Sequence, residues 1–390
     1  LIEYERQESM SYNFFSKSDI TFGRGTLDSI SELVRSNGWS KPMIIYDRGL
    51  ASTGITERVI ELVTGVCENA VEFDGVIPNP TNMLVEEATK IAHNEKVDSF
   101  IAVGGGSSID LAKAVNVLFT NGGTIGEYGG VGKVKNPLLP LVAIPTTAGT
   151  SSEITNVSAL LDTQSVVKYV IIDNKLTPDY VIADPELTLS MPLSVTAGTG
   201  MDAITHALES YISNMANPLS EYHSLKAFQI LCENFPKVVE DGSNIYAREQ
   251  MMLGCIIAGY GFSNANLGLV HGIAHTLSAH FGMAHGLANA AVLPHVMAFN
   301  APAVPEKMLQ LAKAIGLRCS GNMDEDILLV AKEMGRFNIL ADIKPLSAYG
   351  IRNGDILMLA EETLKEPVLG FNPRAEISKE DVVEILRKAY

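Results

Sequence analysis

The pattern of apolar and polar positions divides the chain into two halves of different texture. Up to about residue 190, short apolar runs at Pro42–Tyr46, residues 99–103, 139–144 and 166–172, and Tyr180–Ala183 alternate with stretches of helical periodicity at residues 81–94 and 107–118. Uninterrupted apolar runs of this length predict strands covered on both faces, as in a parallel sheet. Strand and helix in repetition predict a doubly wound α/β unit. Beyond residue 190 the strand signals stop. Helices are predicted over residues 194–213, 220–235, 247–263, 268–280, 285–299, 305–315, 323–337, 353–364 and 378–388. The last opens on Ser378-Lys379-Glu380-Asp381, a capping serine followed by an acidic first turn. The predicted fold is therefore an α/β N-terminal dinucleotide-binding domain with a Rossmann-like parallel sheet, then an all-α C-terminal domain. With no repeat or low-complexity linker, a tight boundary is expected near Asp184-Pro185-Glu186, giving units 1–188 and 189–390.

Length supports two units, since 390 residues exceed the roughly 250–300 that one core serves. At 46% hydrophobic and 19% charged the chain has the composition of a packed globular protein. A net charge of −16 repels polyanions and argues against a nucleic-acid partner. Cys67, Cys232, Cys255 and Cys319 are scattered, without a CxxC pair, which excludes a disulfide framework or thiolate metal site and fits a reducing compartment. No apolar run approaches the roughly 20 residues of a membrane span, and the first residues lack the basic-then-apolar order of a signal peptide. A cytoplasmic location without membrane attachment is expected. Met10 is a candidate start, so residues 1–9 carry no argument.

Candidate chemistry falls in three places. The first is Gly104-Gly105-Gly106-Ser107-Ser108, between a predicted strand and a predicted helix. Glycines there let the backbone approach a diphosphate, and the helix start offers unpaired N–H groups at its positive end. Ser107 or Ser108 is expected to cap that helix. The spacing is not the GxGxxG fingerprint, and a tight strand-to-helix turn explains the glycines equally well in isolation. Two further loops favour a ligand. Pro145-Thr146-Thr147-Ala148-Gly149-Thr150 follows a strand, and Asn79-Pro80-Thr81 opens a helix; in such folds all three converge beyond the carboxyl ends of the strands. Asp47 ends another strand, where a carboxylate accepts from ribose hydroxyls and repels a 2′-phosphate, favouring NAD over NADP.

The second place is Asp202-Ala203-Ile204-Thr205-His206, with a carboxylate and an imidazole at i and i+4 on one helix face. The third is His271, His275, His280 and His285, four of the chain's eight histidines in one otherwise apolar stretch. On an unbroken helix His271 and His285 would stand about 21 Å apart. They meet only if the helix ends between them, and Gly282 is a plausible break. Spacing alone leaves either His275 or His285 as the third imidazole. His93, His223 and His280 read as structural or surface residues, and His295, after Leu293-Pro294, as a packed residue at a helix start.

These motifs, taken together, resemble the iron-dependent (group III) alcohol dehydrogenase family. The resemblance rests on Gly200-Met201-Asp202-Ala203-Ile204-Thr205-His206-Ala207-Leu208-Glu209, His271-Gly272-Ile273-Ala274-His275, His285-Gly286-Leu287-Ala288-Asn289 and Leu293-Pro294-His295-Val296. It extends to the glycine loop, to Ile144-Pro145-Thr146-Thr147-Ala148-Gly149-Thr150, to Asp184-Pro185-Glu186 and to Asn372-Pro373-Arg374, in order from Phe22-Gly23 onward. The resemblance implies a divalent metal held by Asp202, His206, His271 and His285, with iron(II) favoured and zinc or another divalent ion as the alternative. It assigns His275 to the surroundings of substrate and nicotinamide as a catalytic residue. It carries the NAD contacts to Asp47, Asn79, Gly104, Gly105, Gly106, Ser107, Thr146, Thr147, Thr150, Lys168 and Leu187. One departure is that Val368 stands where some members have a cysteine near the pocket, so their substrates do not transfer directly.

The expected reaction is reversible hydride transfer between NAD and a small primary alcohol or diol, or its aldehyde, with the cation as Lewis acid and His275 passing a proton to solvent. Phe262 is a candidate pocket lining, and an ordinary core aromatic otherwise. A homodimer or larger homo-oligomer is expected from the family. Two alternatives remain: a dehydroquinate-synthase-like or other NAD- and metal-using enzyme on the same fold, and a non-catalytic nucleotide-binding sensor. The first needs a basic cluster for a phosphorylated acid, whereas residues 251–295 contain no Lys or Arg.

Overall fold

A computed structural model describes residues 11–163 and 167–390, the side chains of residues 167 and 168 excepted. The N-terminal half is built on a six-stranded sheet. Its strands are β1 (Asp19–Phe22), β2 (Pro42–Tyr46), β3 (Val71–Phe73), β4 (Ser99–Gly104), β6 (Leu141–Pro145) and β9 (Tyr180–Ala183). They lie in the order β1-β9-β6-β4-β2-β3, and every pairing is parallel. Helices α1 (Ser29–Asn37), α2 (Ile55–Thr64), α3 (Asn82–Glu95) and α4 (Gly106–Asn121) connect them.

The apolar runs become central strands because successive side chains face opposite sides and both sides are covered. Met43, Ile45, Phe100, Ala102 and Ala143 enter one core, while Ile44, Tyr46, Ile101, Val103, Val142 and Ile144 enter another. From β2 the chain steps outward to β3, then crosses back to β4 and continues to β6 and β9. This reversal leaves a crevice between the carboxyl ends of β2 and β4, the position where such sheets bind ligands.

Residues 167–172 depart from the expected arrangement. They form β8 (Val167–Ile172) in a separate three-stranded sheet with β5 (Gly130–Val131) and β7 (Val157–Asp162). Here β8 runs antiparallel to β7, and Val170 is exposed. Val166, expected to begin this strand, lies outside the described residues.

The C-terminal half is helical: α5 (Leu193–Ile212), α6 (Pro218–Glu240), α7 (Ile245–Ala265), α8 (Leu269–Phe281), α9 (His285–Asn300), α10 (Pro305–Ala314), α11 (Met323–Asp326), α12 (Leu329–Leu340), α13 (Ile356–Thr363) and α14 (Lys379–Ala389). Ser378 caps α14 in a capping box with Asp381. Residues 323–337, expected as one helix, are divided between α11 and α12. Pro236 and Pro294 lie inside α6 and α9; α6 therefore runs past its expected end, and His295 sits within a helix rather than at its start. The largest core packs these helices together and also takes in Ala148, Ile154, Val181 and Ala183. The helical half thus grows directly off the carboxyl end of the sheet. No single helix among the described residues is long and apolar enough to cross a membrane.

Candidate metal and nucleotide site

The nucleotide side is a set of loops interlocked through glycine. Gly104, at the end of β4, has φ +141°, and a Cβ there would collide with the Ser108 hydroxyl. A Cβ on Gly105 would stand 3.2 Å from Thr147 Oγ1, and one on Gly106 2.8 Å from Thr150 Oγ1. Thr146 N donates to Gly104 O at 3.0 Å, stitching the glycine turn to the threonine loop. Helix α4 starts at Gly106 behind Gly105, with no side-chain cap. Neither Ser107 nor Ser108 caps it, contrary to expectation. Ser108 is buried beneath Gly104, while Ser107 is half-buried in the first turn. The uncapped helix start, brought against the threonine loop by three closely packed glycines, fits an anionic group held by backbone N–H donors.

Around this turn, Asp47 follows β2 and accepts from Gly49 N at 2.6 Å. Asn79 adopts a left-handed backbone, φ +54°, just before Pro80, whose carbonyl accepts from Leu161 N. Thr146 is buried, and Thr147 and Thr150 are half-buried. Leu187 is placed less suggestively, within the hydrophobic core under the sheet. Lys168, on β8, pairs with Leu161 of β7, and its side chain lies outside the described residues.

The metal side is assembled from three helices. Asp202 and His206 project from one face of α5. Helix α8 ends at Phe281 on Gly282, a left-handed cap with φ 63° whose N–H donates to Ser278 O. The chain then turns at once into α9, whose first residue is His285. This turn returns His285 to His271, their ring centroids being 5.2 Å apart.

Asp202 Oδ1 is the common point. Nε2 of His206 and of His271 each lie 3.8 Å from it, and Nε2 of His285 lies 3.7 Å away. Donors around a tetrahedral divalent ion at about 2.1 Å stand about 3.4 Å apart, so this spacing fits a cation at the centre. Ligand atoms of Asp202, His271 and His285 all lie within 4.8 Å of one another; His206 approaches Asp202 but stands outside that tightest group. Asn289 reinforces the fit. Its Nδ2 donates to Asp202 Oδ1 at 2.7 Å and stands 3.2 Å from Nε2 of both His271 and His285. Several acceptors crowd around one partly positive group, as they would around an ion, and one carboxylate with imidazoles suits iron(II) or zinc.

The rings are oriented from behind. His206 Nδ1 lies 3.2 Å from Gly149 O, so an Nδ1–H donating there turns Nε2 toward Asp202. Phe262, half-buried, covers the His206 ring at 4.3 Å. His271 Nδ1 lies 2.6 Å from Glu209 Oε2. Glu209 is buried, which pushes its carboxyl up to about 7 even though N–H groups of Gly268, Val270 and His271 favour the charged form. Burial also pushes the His271 imidazole well below its usual value, favouring the neutral ring that a cation requires. His275 stacks on His285 with centroids 5.6 Å apart and meets Glu366 at 3.0 Å.

Glu209, Asn289, Gly149 and Glu366 are the residues that spacing did not single out. Glu209 and Asn289 fall inside the quoted motifs, three residues after His206 and four after His285, on the same helix faces. Glu366, 91 residues from His275, carries no local signal.

Comparison with known proteins agrees with both halves. The family model described as iron-containing alcohol dehydrogenase matches residues 17–185, and that described as Fe-containing alcohol dehydrogenase family, C-terminal, matches residues 196–390. The chain is 34% identical to an NAD-dependent methanol dehydrogenase of Bacillus methanolicus, over 97% of this chain and 99% of that one. It is 37% identical to a 1,3-propanediol dehydrogenase of Citrobacter freundii, over 95% and 96% of the two chains. A crystal structure of 1,3-propanediol oxidoreductase superposes with a TM-score of 0.95 at 34% identity, covering 98% of this chain and all 100% of the other. With a parallel sheet carrying the glycine turn, an Asp/His/His cluster between the helices and full-length relatives of this kind, the chain belongs to the iron-containing alcohol dehydrogenase family of NAD-dependent enzymes.

Proposed function

We propose that this enzyme interconverts a short primary alcohol or diol and its aldehyde, using NAD and one divalent cation, iron(II) or zinc. The observation that carries the reading is the convergence of three imidazole nitrogens on a single carboxylate oxygen, Asp202 Oδ1, beside the open carboxyl edge of the sheet.

Asp202, His206, His271 and His285 would hold the cation, and the Gly104–Ser107 turn with Thr146, Thr147 and Thr150 would hold the diphosphate. Asp47 and Asn79, at the neighbouring strand end, would meet the ribose. Lys168 and Leu187 complete the proposed cofactor contacts, with the division between nucleotide and metal halves at residues 188 and 189. When bound, the cation supplies Lewis acidity to the substrate oxygen and NAD supplies the hydride acceptor. His275 stands beside His285 and holds a proton at one ring nitrogen for exchange with the substrate hydroxyl. Phe262 covers the His206 face and keeps water from it. An aromatic ring at this place suits a small, largely apolar substrate.

The relatives named for methanol and 1,3-propanediol bracket the range. Absorbance of NADH followed over a panel of short alcohols, diols and aldehydes, on protein reconstituted separately with iron and with zinc, tests the reading. Turnover is expected on both alcohol and aldehyde sides, and His285→Ala is expected to lose the ion and at least about 100-fold in kcat/KM. Absence of a bound ion after anaerobic reconstitution, or full activity in His285→Ala, would overturn it.

A further inference from the structure

We propose that Glu366 is a positioning residue for this reaction: from a C-terminal segment seated on Gly272, it fixes the place and tautomer of His275. This rests on the functional reading above.

The two residues are 91 apart in sequence, and Nδ1 of His275 lies 3.0 Å from Glu366 Oε2. Each side chain is less than a third exposed, at 28% and 29%. The His275 ring is otherwise held by ring contacts. It stacks on His285 at 20° between planes and meets His271 edge-on at 6.0 Å. Stacking fixes the plane of an imidazole but not which edge carries nitrogen, because a half-turn about the Cβ–Cγ bond exchanges nitrogen for carbon with little change of shape. A hydrogen bond to one nitrogen removes that freedom and selects the tautomer. With Nδ1–H donating to the carboxylate, Nε2 is the nitrogen left for the cleft.

The seat of the segment shows the arrangement to be built rather than incidental. Gly272 lies three residues before His275, on the adjoining face of α8. A Cβ on Gly272 would collide with Leu369 Cδ1 and stand 3.6 Å from both Glu366 Cβ and Val368 Cγ2. The glycine therefore admits the segment against the helix, one residue from the proposed ligand His271. The segment is fastened on both sides. Before it, Thr363 Oγ1 meets Thr276 Oγ1 of α8 at 3.3 Å. After it, Asn372 pairs with Asn300 through two 2.9 Å bonds. A solvent-facing contact between free side chains would do little for either partner; this one is clamped from the backbone outward.

The test uses full-length protein reconstituted with zinc, in wild-type, Glu366→Ala, Glu366→Gln and Gly272→Ala forms. Four quantities are read: kcat, the NADH dissociation constant, zinc stoichiometry, and the ring 15N signals of His275, assigned against His275→Gln. In Glu366→Ala, kcat is expected to fall about 10- to 100-fold while zinc content and NADH affinity hold, and the His275 signals move from the Nδ1–H tautomer toward a mixture. Glu366→Gln, whose amide oxygen still accepts from Nδ1–H, is expected to restore most of both kcat and the tautomer. Gly272→Ala, which keeps the carboxylate but lifts its seat, is expected to fall between.

Wild-type kcat with unchanged 15N signals in Glu366→Ala would overturn the inference. So would joint loss of zinc and NADH binding, which would make Glu366 a general structural support. If the wild-type protein binds zinc and NADH but turns over no alcohol or aldehyde, the functional reading fails instead, and the 15N signals still judge the contact itself.

Discussion

Burying a carboxylate is costly, and this molecule buries a carboxyl group just after its proposed nucleotide loop. Glu153 lies in the turn after the threonine loop, fully buried, and burial pushes its carboxyl up to about 7. Its attraction to Lys113 offsets only part of that cost. The Lys113 ammonium is committed elsewhere: it donates to the carbonyls of Ser152, Thr155 and Val157 at 2.7, 2.9 and 2.8 Å. These bonds tie α4, which begins at the glycine turn, to the chain leaving Thr150. A carboxyl whose folded value lies above its unfolded one binds more protons when folded. Its stabilising contribution is therefore complete below about 4.5 and is lost as pH rises through about 7. Glu153→Gln removes that titration while keeping the shape. The variant is expected to match wild type near pH 4 and to exceed it by up to about 3 kcal/mol at pH 8, read as the difference between urea-unfolding curves across that window. A constant difference at all pH values would show that Glu153 ionises normally in the folded protein.

Elements bring the proposed ligands together by breaking or crossing at glycine. Gly282 ends α8 in a left-handed conformation with nothing within 4 Å of a would-be Cβ, so Gly282→Ala meets only backbone strain, about 1–2 kcal/mol. Gly286 differs: a Cβ there would collide with Gly198 O and approach Asp202 Cβ at 3.3 Å. Helices α5 and α9 thus cross glycine to glycine, which is how His285 comes within reach of Asp202. Gly286→Ala is expected to cost more than ten times as much zinc affinity as Gly282→Ala, measured by competition with a chelator. Similar affinity in the two variants would mean that the crossing does not set the ligand spacing.

Much of this architecture is legible in the sequence. Continuous apolar runs locate β2, β4, β6 and β9, since strands covered on both faces are apolar along most of their length. Helical periodicity finds α5 to α10, and Gly282 marks the break. The edge strands β1 and β3 escape because they are short, and β1 mixes polar and apolar positions in its Asp-Ile-Thr-Phe sequence. Helix α6 outruns its expected end at residue 235 because a helix packed by neighbours can carry a proline within it, here Pro236. Among the site residues, helix periodicity pairs Asp202 with His206, but only the resemblance separates His285 from His275. Glu366 stays hidden because its partnership is made by tertiary packing alone.

At the scale of the molecule, the proposed nucleotide and metal sites share one loop. The segment holding Thr146, Thr147 and Thr150 also presents Gly149 O to His206 Nδ1, so the same backbone that would cradle NAD orients a proposed metal ligand. Gly149 is closely confined by α5, where a Cβ would stand 2.6 Å from Thr199 Cβ and 3.0 Å from Thr199 O. Further contacts brace the halves at a distance, among them Arg24 with Glu249 at 2.6 Å and the paired bonds between Asn264 and the backbone of Phe15. The loop therefore has little room to move independently of α5. A ligand that orders it lowers the cost of ordering His206 for a second ligand, and linkage requires the effect to be reciprocal. NADH is accordingly expected to bind more tightly to zinc-loaded than to metal-free protein, with zinc gaining by the same factor when NADH is present. Gly149→Ala, which forces the loop away from Thr199, is expected to weaken both ligands and to shrink that factor toward one. Calorimetric titration of each ligand with and without the other measures all four constants. Equal NADH affinity with and without zinc in the wild-type protein would show that the shared loop transmits nothing between the two sites.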